Sequence, residues 1–109
     1  MRQDFKPITN MDALEHLVTE SEQELTIVFK HDPHCGISMA AYRQMSQLSG
    51  AVALIDVAEH NDVAQELAAR TGIKHESPQV IVLDHGKAIW SASLYEITSK
   101  AVARAAPQK

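Results

Sequence analysis

The only cysteine of this 109-residue chain, Cys35, lies in the segment HDPHCGIS at positions 31–38. The thiolate form of cysteine is the nucleophile of thiol–disulfide exchange, and positively polarised surroundings favour that form. Most free cysteines are small buried hydrophobes, but Pro33, His34 and Gly36 are poor companions in a core. The segment therefore predicts a reactive thiol.

Ser38 stands three residues after the cysteine. In Cys-x-x-Cys redox sites a second cysteine at this position attacks the mixed disulfide that the first one forms. Because a hydroxyl cannot carry out thiol–disulfide exchange, a thiol from another molecule must release any disulfide formed by Cys35. We assign Cys35 and Ser38 as the catalytic residues. We expect the Ser38 hydroxyl to bond the thiolate or, as a serine in the first helical turn, to satisfy a backbone N–H.

The residues around Cys35 predict a strand followed by a helix. The apolar run 25–29 indicates a buried strand. A helix is then indicated by apolar residues at helical spacing, with Gly50 ending the run: Ile37, Ala41, Met45 and Leu48. Cys35 would thus lie at the amino end of a helix, where the helix dipole favours an anion. Lys30, His31 and His34 are expected to add positive potential there.

A second candidate segment is KHESPQVIV at positions 74–82. Pro78 suits the first residue of a strand, and cis peptide bonds are nearly confined to X-Pro pairs. We predict a cis Ser77–Pro78 bond whose turn exposes the Ser77 backbone for pairing with an extended substrate segment.

The remaining elements complete an α-β-α-β-α-β-β-α order. Asn10 is expected to cap the first helix, and Asn61 or Asp62 a later helix that Gly72 stops. Further strands are predicted at 52–57, 80–83 and 88–90, the last two as a hairpin, with a final helix from Thr98 or Ser99. This order predicts an α/β fold with a four-stranded mixed sheet and helices on both faces, in one domain spanning residues 1–109.

Composition excludes some classes of function. The net charge of −4 and the lack of a Lys/Arg cluster argue against binding nucleic acid or an anionic membrane surface. The apolar runs are too short to span a bilayer, and no signal-peptide pattern is seen at the amino terminus. A lone thiol fits a reducing compartment, so we expect a cytoplasmic protein.

Together these motifs resemble the thioredoxin superfamily and, more narrowly, the single-cysteine bacilliredoxins. The segments that carry the likeness are VFKHDPHCGIS, HESPQVIVL, GKAIW and YEIT. The resemblance implies a thioredoxin-like fold in which Cys35 takes a bacillithiol adduct from an S-thiolated protein, and a second low-molecular-weight thiol or a reductase regenerates it. By position, Ser38 replaces the resolving residue and Pro78 is the cis-proline.

From these motifs we assign substrate binding to His34, Gly36, Ser77 and Pro78, although family members often carry another residue where Gly36 stands. We expect no cofactor and no bound metal, only a low-molecular-weight thiol such as bacillithiol as co-substrate.

Three alternatives remain open on the sequence. CGIS at positions 35–38 is one residue from the CGFS signature of single-cysteine glutaredoxins, which hold an iron–sulfur cluster, but the Gly-Gly segment of that family has no counterpart after Lys87. His31, His34, Cys35 and His75 could converge on zinc or copper. The domain could also be a catalytically silent binding module.

Overall fold

Residues 3–107 are described by a computed structural model, in which five strands form one sheet with helices on both faces. The strands are β1 (Lys6–Pro7), β2 (Thr26–His31), β3 (Val52–Asp56), β4 (Gln79–Asp84) and β5 (Lys87–Ser93). The helices are α1 (Met11–Glu20), α2 (Gly36–Met45), α3 (Asn61–Thr71) and α4 (Ser99–Ala105), and a 3-10 turn spans Leu94–Glu96.

The strand order in the sheet is β1-β3-β2-β4-β5. Strands β1 and β2 run parallel to β3, whereas β4 is antiparallel to both β2 and β5. The predicted mixed sheet is confirmed, but the predicted number of four strands is wrong. The additional strand, Lys6–Pro7, is two residues long and pairs only with β3. A strand of two residues is too short to show the alternation of apolar and polar residues that predicts a strand. Its proline is tolerated because an edge strand need not donate every N–H.

Two apolar clusters lie on opposite faces of the sheet. On one face α1 and α3 pack on the sheet with buried residues such as Leu14, Leu17 and Leu67. On the other face α2 and α4 pack with Met45 and Val102. Successive residues of β2 alternate between the clusters, as the two-residue period of a strand requires. The sandwich of helices around the sheet holds the ends of β2 and β4 rigidly in place.

The predicted helix ends are partly confirmed. The side chain of Asn10 caps α1 by accepting the Ala13 N–H at 2.8 Å, and Gly72 ends α3 with a left-handed φ of 74°. The cap of α3 was misplaced by the sequence: it is His60, without a side-chain bond, and Asn61 is the first helical residue. Helix α2 ends at Met45, earlier than Gly50, and its C-cap Ser46 donates both its N–H and its hydroxyl to the Tyr42 carbonyl.

Candidate active site

Cys35 links the end of β2 to the start of α2. It is the N-cap of α2, with extended backbone angles (φ −113°, ψ 128°) and no capping hydrogen bond from its side chain. Its carbonyl accepts the Met39 N–H at 3.0 Å, and its own N–H donates to the Asp32 carbonyl at 3.1 Å. The residue is partly exposed. The backbone is therefore fixed, while the thiol stays reachable at the positive end of a helix.

Ser38, one helical turn later, is fully buried. Its Oγ accepts the Asp32 N–H at 2.8 Å and lies 2.7 Å from Nδ1 of His31. Of the two roles expected for this hydroxyl, the structure shows the bond to a backbone N–H, and it adds His31 as a partner that the sequence did not indicate. Ser38 thus fastens the first turn of α2 to the end of β2.

His31 is 6% exposed, and its ring packs against two aromatic rings. The ring centroids of Tyr42 and Phe29 lie 4.9 Å and 5.3 Å away. Burial lowers the pKa of His31, opposed by the negative charges of Asp56 and Asp32 and by the hydrogen bond with Ser38. The neutral imidazole is favoured, so His31 supports the site by hydrogen bonding rather than by the positive potential that we expected.

Lys30 also lies in the interior of the protein. Because neighbouring strand residues point to opposite faces, its side chain lies on the face opposite His31. There it is fully buried, and its Nζ donates to Oε1 of Gln79 at 2.9 Å. Burial lowers the pKa of Lys30 to about 8, opposed by the charge of Glu76. The Lys30 amine is therefore bonded to the first residue of β4, directly after Pro78, and its contribution to the potential at the thiol stays a prediction.

The proline segment lies at the same sheet edge as Cys35. Strand β4 runs antiparallel to β2 with Gln79 opposite Lys30, so Pro78 adjoins the end of β2 from which Cys35 follows. The Ser77–Pro78 peptide bond is cis, as predicted. Pro78 is buried, and its carbonyl accepts the Leu94 N–H at 3.0 Å.

Two polar atoms of this proline segment are buried without a hydrogen-bond partner among residues 3–107: Nδ1 of His75 and Oγ of Ser77. Burial and the charge of Lys30 lower the pKa of His75, and Glu76 opposes them.

His34 and Gly36 flank the cysteine and are both exposed. The His34 N–H donates to Oδ1 of Asp32 at 2.9 Å, which fixes the turn before Cys35. A Cβ added at Gly36 would meet no atom within 4 Å. Both residues are therefore accessible next to Cys35.

The metal-binding alternative has no geometric support. Across the described part of the chain, no three His, Cys, Asp or Glu side chains are grouped so that they could hold a metal ion. His31 packs on the α2 face of the sheet, with its ring against that of Tyr42.

Gln79 is a site residue that the sequence analysis missed. The only available signal was a polar side chain opening the otherwise apolar segment QVIVL.

No helix formed by residues 3–107 has the length and apolar character needed to cross a membrane.

Comparisons with known proteins agree with this geometry. Residues 6–102 match the family described as monothiol bacilliredoxin BrxC. A solved structure of a candidate oxidoreductase with a thioredoxin fold is similar, with a TM-score of 0.84 and 26% identity over 92% of this chain and 91% of that one. Fasciola hepatica thioredoxin has a TM-score of 0.73 at 16% identity, over 93% of this chain and 95% of its own. Malassezia sympodialis thioredoxin has a TM-score of 0.69 at 16% identity, over 95% and 89%.

Proposed function

The chain belongs to the monothiol bacilliredoxin family of thioredoxin-like redoxins, and we propose that it removes low-molecular-weight thiol adducts of the bacillithiol type from protein cysteines. The observation that carries this proposal is the pairing of one reachable thiol at a helix start, Cys35, with a buried hydroxyl, Ser38, where a second thiol would stand.

In the first step the Cys35 thiolate attacks the small-thiol sulfur of an S-thiolated protein. The protein sulfur leaves as a thiolate and takes up a proton, and Cys35 retains the small thiol as a mixed disulfide. The amino end of α2 stabilises the negative charge on Cys35 before the attack and after its release. His34 and Gly36 on one side, and Ser77 and Pro78 on the other, border the groove for the substrate.

In the second step another molecule of the small thiol attacks the small-thiol sulfur of the mixed disulfide. Cys35 is released as a thiolate, and the two small thiols leave as their symmetric disulfide, so the electrons that reduce the protein come from the small thiol. Ser38 cannot take part in the exchange, which makes the external thiol obligatory. This requirement favours a reducing compartment such as the cytoplasm.

Mass spectrometry of the intact protein tests the proposal. The chain is mixed with a protein carrying one bacillithiol adduct, with the same protein carrying glutathione, and with the unmodified protein. We expect Cys35 to gain the mass of bacillithiol in the first mixture while the substrate loses it. No transfer from either adduct would contradict a redoxin role, and transfer from the glutathione adduct alone would assign a different thiol.

A further inference from the structure

We propose that Lys30 is a positioning residue for the substrate groove, acting through Gln79 on the segment 74–78. The inference rests on the proposed function only in so far as this segment borders bound substrate. The starting observation is that Lys30 is the only Asp, Glu, Lys or Arg among the buried residues of the described chain. A buried charge is costly unless it is well bonded, so the residue needs an explanation beyond packing.

The hydrogen bonds of Lys30 and Gln79 fix the orientation of the Gln79 amide. The Lys30 amine donates hydrogen bonds, and its contact at 2.9 Å is with Oε1 of Gln79. The Gln79 amide is thereby oriented with Nε2 pointing away from the lysine. Nε2 then donates to the Lys74 carbonyl at 3.0 Å and to Oγ of Ser93 at 3.3 Å.

Those two bonds reach both flanks of Pro78. Lys74 opens the segment that leads into the Ser77–Pro78 bond, while Ser93 caps the 3-10 turn whose Leu94 N–H donates to the Pro78 carbonyl. One buried amide therefore ties the segment before Pro78 to the turn beside it. If Lys30 is removed, Oε1 loses its donor, the amide loses its fixed orientation, and the backbone of residues 74–77 is less firmly held.

Two variants separate this role from general stability. Lys30→Met keeps an unbranched side chain of similar shape, one atom shorter, but removes the donor. Gln79→Glu keeps a partner for Lys30 but replaces the Nε2 donor by an oxygen that repels the Lys74 carbonyl. Val28→Ala is the matched control, because Val28 is fully buried two residues earlier in β2, on the same face of the strand.

The first measurement is hydrogen exchange of the backbone amides in the folded protein, which needs no substrate. We expect the Leu94 amide, whose N–H donates to the Pro78 carbonyl, to exchange about tenfold faster in Lys30→Met and in Gln79→Glu, because the loss of one buried hydrogen bond weakens the contact between the turn and the proline segment. Val28→Ala should not produce this local increase relative to the rest of the sheet. Unchanged exchange of the Leu94 amide in both variants would overturn the proposal, whatever the activity of the protein.

The second measurement is steady-state removal of bacillithiol from an S-bacillithiolated peptide, alongside alkylation of Cys35 by iodoacetamide. Both variants should raise KM about tenfold, leave kcat within about twofold, and leave the alkylation rate unchanged. A fall in kcat and alkylation with unchanged KM would show that Lys30 acts on the thiol instead. If the unsubstituted protein has no turnover, the proposed function fails, and the exchange measurement still decides the role of Lys30.

Discussion

Oγ of Ser38 lies 2.7 Å from Nδ1 of His31, in the interior of the protein beneath the turn that presents the thiol. The same oxygen accepts the Asp32 N–H at 2.8 Å. The residue that stands where a dithiol redoxin has its second sulfur is therefore part of the framework. It fixes the position of Cys35 by joining the first turn of α2 to the end of β2.

Ser38→Ala should destabilise the protein by about 1–3 kcal/mol, because it leaves the buried Nδ1 of His31 and the partly buried Asp32 N–H without this partner. Urea unfolding monitored by circular dichroism measures the loss. Ser49→Ala, at an exposed serine, serves as the control and should change the free energy of unfolding by less than about 0.5 kcal/mol. Equal effects of the two substitutions would contradict a framework role for the Ser38 hydroxyl.

Replacing His31 by Asn should make stability less sensitive to acid. The pKa of His31 is lowered on folding, so just below pH 6.5 the unfolded chain binds a proton that the folded chain does not, and stability is lost as the pH falls. Unfolding free energies measured from about pH 7 down to about pH 5 should fall less steeply in His31→Asn. His16→Asn, at an exposed histidine, should show the same pH dependence as the unsubstituted protein. If the curve of His31→Asn is also parallel to that of the unsubstituted protein, burial of His31 does not contribute to the acid sensitivity.

Lys30 should affect how the free energy of unfolding changes at alkaline pH. Burial lowers its pKa to about 8 in the folded protein, against 10.5 for an ordinary lysine, so between these values the unfolded chain binds more protons. Stability should rise with pH in this window, by at most about 1.4 kcal/mol per pH unit. Lys30→Met should flatten the rise, whereas Lys100→Met, at an exposed lysine, should preserve it. Identical slopes in all three proteins would argue against a buried ionisable amine.

Cys35→Ser should abolish the removal of thiol adducts without unfolding the protein. The substitution exchanges sulfur for oxygen at a partly exposed N-cap whose side chain makes no capping bond, and serine is itself a favoured N-cap. Turnover and thermal unfolding are measured on the same preparation. Residual turnover above the uncatalysed rate would contradict the assignment of Cys35 as the nucleophile.

Gly36→Ala tests whether the open space beside the thiol belongs to the substrate. The added methyl group meets no atom within 4 Å and removes a glycine from a helix, so the variant should be more stable by about 0.5 kcal/mol. Its KM for a thiolated protein should rise, since the methyl group adds bulk to an exposed residue next to Cys35. An unchanged KM in Gly36→Ala would show that substrate does not approach Gly36. Gly72 cannot serve as a control, because its φ of 74° would strain any side chain.

The sequence by itself determined the order of the main elements, the position of Cys35 at a helix start and the strand that follows Pro78. These features depend on local chemistry: apolar periodicity, cap residues, and the conformational preferences of glycine and proline. The sequence did not predict β1, because a two-residue strand is defined only by its pairing with β3.

Only the tertiary structure decided what the polar residues around the thiol do. Alternation along a strand requires Lys30 and His31 to face opposite sides, but which side carries α2 depends on how the chain folds over the sheet. His31 consequently meets Ser38, and Lys30 meets Gln79, a residue 49 positions away. Contacts between residues so distant in the chain are made by packing, and no local pattern of residue types specifies them.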